Sequence, residues 1–172
     1  RAPVAEGSLR LEDLRAGKEI LGSFDGRLDS NGRRVRVDLT SAMNSGSLRG
    51  AVEVDLFDDY AIRGDLALEN VDLDPLVQTA FRLPALTGHG SVSGRFLLSG
   101  FLRRPETLVL QADISRVALN FEYVKLESAA PFRLEYRRDE ARIEPALFRG
   151  PDSDFRFGGT VRFTGARRVN LT

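Results

Sequence analysis

The sequence predicts an all-β fold, an elongated, curved antiparallel sheet with one apolar and one charged face, and three observations carry that expectation. Apolar and polar residues alternate with a period of two along most of the chain, turn-forming residues recur at short intervals, and helical spacing is confined to one short stretch. The spacing of the turns implies roughly ten strands, which at about 4.8 Å per neighbour would make a sheet close to 50 Å across. Alternation leaves two geometries open, a trough with an accessible floor or a partly closed, taco-like sandwich.

Taken in order, residues 11–16 show weak helical spacing but read as strand and turn, and Asp25-Gly26 and Ser30-Asn31-Gly32 read as turns. Arg34-Val35-Arg36-Val37-Asp38-Leu39 then sets Val35, Val37 and Leu39 on one side and charges on the other. Residues 51–56 repeat the arrangement after the turn Asn44-Ser45-Gly46, and Asp58-Asp59 turns the chain again. These strands carry Arg, Asp or Glu at nearly every second position, so each buries one face only; a strand buried on both faces would be continuously apolar.

A weak internal repeat follows. Residues 65–73 align without gaps on residues 111–119: in each, apolar residues fall at even numbers up to Leu68 or Ile114, then at odd numbers from Val71 or Val117. A parity switch turns later side chains to the opposite face unless an extra residue intervenes, so a bulge or break is expected near Glu69-Asn70 and near Ser115-Arg116. Between the copies lies the one helical candidate, residues 74–82. Asp74 would cap it, Pro75 would occupy its first position, where the missing N–H costs nothing, and Pro84 would stop it. The C-terminal part returns to alternation in residues 132–137 and 155–157, with turns at Arg137-Arg138-Asp139-Glu140, Gly150-Pro151-Asp152 and Gly158-Gly159. Glycine followed by x-Val at Gly50, Gly90 and Gly159 suggests three strand starts.

Composition narrows the function classes. Lys+Arg and Asp+Glu are both 25 and interleaved, so the local cation excess that phosphate backbones require is absent and nucleic acid is not an expected partner. At 42% hydrophobic and 29% charged residues the chain has a globular composition, and its longest apolar runs fall far short of the roughly 20 residues of a membrane helix. It begins at Arg1 without a signal-like segment, and it reads as a single β-rich segment of a longer, repetitive protein. An outer-membrane barrel would show aromatic girdles, whereas here Trp is 0 and Tyr 3.

Catalytic signatures are missing. The single His, His89, stands between Gly88 and Gly90 with no Cys in the chain and no nearby carboxylate, a poor metal ligand or general base. The acid pairs Asp58/Asp59, Asp72/Asp74 and Asp152/Asp154 do not continue into a calcium loop and suit turns and caps. Gly88-His89-Gly90-Ser91 lacks the Lys-Ser/Thr of a phosphate loop, and no Gly-x-Ser-x-Gly elbow occurs. The sequence is therefore expected to be no enzyme and to hold no metal or cofactor. What remains is its apolar set: Val52, Val54, Leu66, Leu68, Val92, Phe96, Leu110, Ile114, Leu119, Phe121, Leu134, Phe155, Phe157, Val161 and Phe163. A closed sandwich core and an accessible groove both explain it.

Three phrases, in order and spacing, carry a resemblance. Glu69-Asn70-Val71-Asp72-Leu73-Asp74-Pro75-Leu76-Val77 would end a strand and enter a short helix, Leu86-Thr87-Gly88-His89-Gly90-Ser91-Val92 would open the next strand, and Leu98-Ser99-Gly100-Phe101-Leu102-Arg103-Arg104-Pro105-Glu106 would close it. Over residues 46 to 120 the chain resembles the AsmA/TamB-like superfamily of envelope proteins. The resemblance implies a periplasmic segment of a bridge-like protein anchored in the inner membrane. Its apolar groove would carry phospholipid acyl chains towards the outer membrane and support outer-membrane biogenesis. The groove lining would come from the apolar set above. An alternative within the same resemblance is a translocation and assembly module, a scaffold for outer-membrane β-barrel proteins; a plain structural β-sandwich is a third.

Overall fold

A computed structural model describes residues 4–16, 19–43, 46–72, 89–121, 124–162 and 169–171. Their strands are β1 (Ala5–Ala16), β2 (Glu19–Ser30), β3 (Arg34–Met43), β4 (Gly46–Asp55), β5 (Ala61–Asp72), β6 (His89–Phe101), β7 (Arg104–Phe121), β8 (Val124–Ser128), β9 (Phe132–Arg137), β10 (Glu140–Arg149), β11 (Asp154–Arg162) and β12 (Val169–Leu171). All twelve belong to one antiparallel sheet, ordered as in the chain. The long β7 pairs along one edge with β6; along the other it pairs first with β9 and then with β8, so β8 and β9 share one row and the sheet has eleven rows. The expected count of about ten was slightly low. No helix occurs among the described residues, and the helix expected at 74–82 lies outside them.

Both expected bulges are present. Leu68 pairs with Gly94 and Val71 with Val92, which leaves Glu69-Asn70 opposite the single Ser93. Arg116 pairs with Ser93 and Ile114 with Gly94, which leaves Ser115 extra. The two bulges therefore flank the same point of β6, and side chains seal them. Asn70, at the left-handed φ of 51°, donates its N–H to Ser93 Oγ at 2.8 Å, and the Val117 N–H reaches Ser128 Oγ at 2.9 Å. Glycine at position 94 is a steric requirement, since a Cβ there would fall 2.6 Å from the Asp113 carbonyl oxygen.

Some expected turns are strand interiors. Asp25-Gly26 lies inside β2, where Asp25 pairs with Arg10 and Thr40, and Gly26 with Leu9 and Leu39. Gly158-Gly159 lies inside β11, with Gly158 opposite a third bulge at Glu144-Pro145 of β10. Gly50 and Gly159 are likewise mid-strand and start nothing. The reason is common to all four: a glycine that makes room for large neighbours leaves the same signature as a glycine that turns the chain. Asn31-Gly32, Asp58-Asp59, Arg138-Asp139 and Pro151-Asp152 do turn it, Arg138 and Asp139 with φ of 50° and 60° as a tight hairpin demands.

Every strand pair in substantial contact is a hydrogen-bonded pair, so the described strands form one layer with no second sheet facing it. The accessible surface is 12096 Å², against about 8,400 Å² for a compact monomer of 19.0 kDa. Burial is local: Val71, Val92, Ala112, Ile114, Val117, Ala146 and Phe148 form the core, bordered by Leu68, Phe96, Leu119, Leu126, Phe132 and Leu134. The Phe132 and Phe148 rings pack at 5.9 Å between centroids, tilted by 59°.

Candidate functional site

Antiparallel pairing keeps directly opposed residues on the same face, so the register shows how the alternating strands combine. One crosswise row runs Gly7, Leu28, Val37, Val52, Gly64, Leu98, Leu110, Tyr136, Ala141, Val161 and Val169, one residue per row of the sheet from edge to edge. The next runs Leu9, Gly26, Leu39, Gly50, Leu66, Phe96, Ala112, Leu134, Ile143, Gly159 and Leu171. Neither contains a charged residue. The two rows are one apolar strip perpendicular to the strands, about 48 Å long at 4.8 Å per strand.

Most of the sequence-predicted residues join this face. Val52 and Val54 on β4, Leu66 and Leu68 on β5, Phe96 on β6, Leu110 and Leu119 on β7, Leu134 on β9 and Val161 on β11 are half-buried. Val92 and Ile114 are buried in the core, and Phe155 and Phe157 are exposed. Phe121 ends β7, but its side chain lies outside the described residues, as does Phe163 altogether. Glu69, Arg95, Asp113 and Arg156, expected to point the other way, are exposed.

Sequence reasoning missed part of the core. Ala112 has the parity of Leu110 and Ile114 and was readable from alternation. Val71 and Val117 follow once the bulges are accepted. Ala146 and Phe148 fall out of phase with Ile143 because Glu144-Pro145 bulges, and Pro145 within an alternating stretch was the available signal.

The opposite face is a lattice of charges. Arg10 pairs with Asp25 at 2.7 Å, Arg36 with Glu53 at 2.8 Å, Arg133 with Asp113 at 2.8 Å and Arg162 with Glu140 at 2.7 Å, each across neighbouring strands. Arg95 grips Asp65 through two bonds, Nε to Oδ1 at 2.8 Å and Nη2 to Oδ2 at 2.5 Å. That hydrogen-bonded guanidinium holds the Asp65 carboxyl below the usual carboxylate range. Tyr136 lies on the apolar row; its hydroxyl, which donates to Asp139 at 3.1 Å, is pushed up by burial first and by that carboxylate second. Such a face is hydrated and repels sheet stacking, whereas the apolar strip on the other side carries no charge among the described residues.

His89 is exposed at the start of β6, on the rim of a cleft of about 660 Å³ that Asp72, Lys125 and Arg149 also line. Among the described residues no three His, Asp or Glu side chains are placed to hold a metal ion, and no helix is long and apolar enough to cross a membrane. No protein-family model, no curated protein and no solved structure matches the chain.

Proposed function

We propose that this chain is a periplasmic segment of an AsmA/TamB-like bridge protein, whose apolar strip holds phospholipid acyl chains as they pass between inner and outer membranes. The observation that supports the reading most is the strip itself, charge-free over every row of the sheet and faced by no second layer among the described strands. Lipid tails need a continuous apolar path and gain up to roughly 0.8 kcal/mol for each CH₂ that leaves water. A strip running across the strands can be lengthened by adding strands, as a bridge between two membranes requires. The charged outer face keeps the segment hydrated, and no catalytic group enters the scheme.

The test is photo-crosslinking with a lipid probe in an envelope extract, with the photoreactive residue placed at Val37, Val52, Leu66 or Leu98 on the strip and at Glu53 or Arg95 on the charged face. Crosslinks from the strip positions alone, with phospholipid identified by mass spectrometry of extracts from the purified chain, are expected. No strip crosslink and no co-purifying phospholipid would reject the conduit. Recovery of an outer-membrane barrel protein in the same experiment would install the assembly scaffold in its place.

A further inference from the structure

The charged face has a gap in its lattice. Where β3, β4, β5 and β6 lie side by side, Ala51 stands between Asp38 and Asp65, and Ala67 between Arg49 and Arg95. Two methyl groups thus take places in rows built mostly of long charged side chains. The cleft that results, of about 750 Å³, is floored by these alanines with Gly50 and Gly64 and walled by four arginines and three carboxylates.

The three carboxylates are all engaged. Arg36 binds Asp38 and Glu53, each at 2.8 Å, Arg34 adds a second cation to Glu53 at 3.7 Å, and Arg95 occupies both oxygens of Asp65. Two of the four arginines are left over. Arg49 and Arg63 are exposed and make no hydrogen bond or ion pair with a described residue, although Arg63 lies directly opposite Glu53 in the register. Arg49 pairs with Ala67, four residues along β5 from Arg63, so the two stand about 13 Å apart along the ladder, a span that their side chains can close over the alanine floor. We propose that this cleft binds a phosphate group, held between Arg49 and Arg63. Asp65 shows why phosphate fits better than a carboxylate: one guanidinium fork uses up both carboxylate oxygens, whereas a phosphate has a further acceptor oxygen for the second arginine. Four guanidiniums against three carboxylates leave the cleft cationic, so an entering anion meets net attraction. The site lies on the face opposite the apolar strip and is independent of what the strip binds.

Both arginines are exposed, so replacing them leaves the fold intact and binding can be read directly. In the unmodified 172-residue chain at low ionic strength, titration with inorganic phosphate followed through the arginine Nε–Hε signals in NMR is expected to give saturable shifts at Arg49 and Arg63, with a Kd of about 1 mM. Arg49→Gln and Arg63→Gln are each expected to weaken binding about tenfold or more, whereas Arg27→Gln, which removes an exposed arginine outside the cleft, leaves it unchanged. Displacement of the inorganic ion by glycerol phosphate would assign the site to soluble phosphate esters, and co-sedimentation with phosphatidylglycerol vesicles, lost in the same two variants, would assign it to lipid headgroups; either supports the proposal. No saturable shift up to about 50 mM phosphate, an equal response to chloride, or an equal loss in Arg27→Gln would overturn it.

Discussion

Strands β2–β4 and strands β5–β10 follow the same alternation and differ in how deeply they bury it. Leu28, Val35, Val37, Leu39, Val52 and Val54 are all half-buried, whereas the seven buried apolar residues of the chain's described part all belong to β5, β6, β7 and β10. Hydrophobicity does not separate the two regions; bulges do. The registers of β2 with β3, β3 with β4 and β4 with β5 are uninterrupted, whereas β5, β7 and β10 each carry an extra residue or two. A bulge bends its strand and increases the local twist, and the three on alternate rows, β5, β7 and β10, fall in the part of the sheet that holds the buried apolar residues. Where no bulge occurs, the same residues stay open. Thus between β2 and β10 the buried part of the apolar face coincides with the bulged strands, and the half-buried part with the uninterrupted registers of β2, β3 and β4.

The sharpest way to break this contrast is to put one carboxylate in each region. Ile114, 4% exposed, has no room for water, so Ile114→Asp should cost about 4 kcal/mol or prevent folding. Val37→Asp, on the open strip between Leu28 and Val52, keeps its carboxylate hydrated and should cost about 1 kcal/mol, with the outward Asp113→Asn near zero. Urea denaturation followed by circular dichroism measures all three. Equal losses at 114 and 37 would mean that β2–β4 are covered in solution, and the distinction would collapse.

Glycines sharpen it at smaller scale. Ala in place of Gly94 drives its Cβ into the Asp113 carbonyl, and Gly94→Ala is expected to cost about 2 kcal/mol as the bulge pair shifts. The nearest atoms to the Cβ of Gly26→Ala are side-chain atoms of Val37, Leu39 and Leu9 at 3.4 to 3.7 Å, and the change should fall within about 0.5 kcal/mol of neutral. Between these two falls the loss of a sealing hydroxyl: Ser93→Ala leaves the exposed Asn70 N–H to water and should cost about 1 kcal/mol, or roughly 2–4 °C in Tm.

How much of this was legible beforehand follows from the same physics. Alternation is a local property, so the all-β class, the one-faced strands and the two parity-switch bulges could be read from residues 34–39, 65–73 and 111–119. Glycine is ambiguous locally, and Gly26, Gly50 and Gly158-Gly159 were misread because their purpose is set by neighbours across the sheet: Leu39 beside Gly26, Leu66 beside Gly50 and Pro145 beside Gly158. The strip is also non-local. Its members lie in eleven separate rows, and their joining into two charge-free lines depends on register, which single strands do not encode.

A small, pH-dependent effect is expected on the charged face. Asp65 and Arg95 sit where the open and bulged regions meet, and both side chains are well exposed, so their pair adds little stability. It should still be visible through its pH dependence. The folded-state pKa of Asp65 is lowered from the ordinary 3.8, so folding favours the ionised form. Its contribution is complete above that ordinary value and is lost as pH falls through the lower, folded one. Asp65→Asn should therefore reduce Tm by at most about 2 °C at pH 7, with the difference from wild type narrowing as pH falls below 3.8. Thermal melts at pH 7, 4 and 2.5 and at low salt would show it. A difference that does not narrow between pH 4 and pH 2.5 would mean that Asp65 acts through packing at the boundary of the two regions, and a difference absent at pH 7 would mean that solvent already screens the pair.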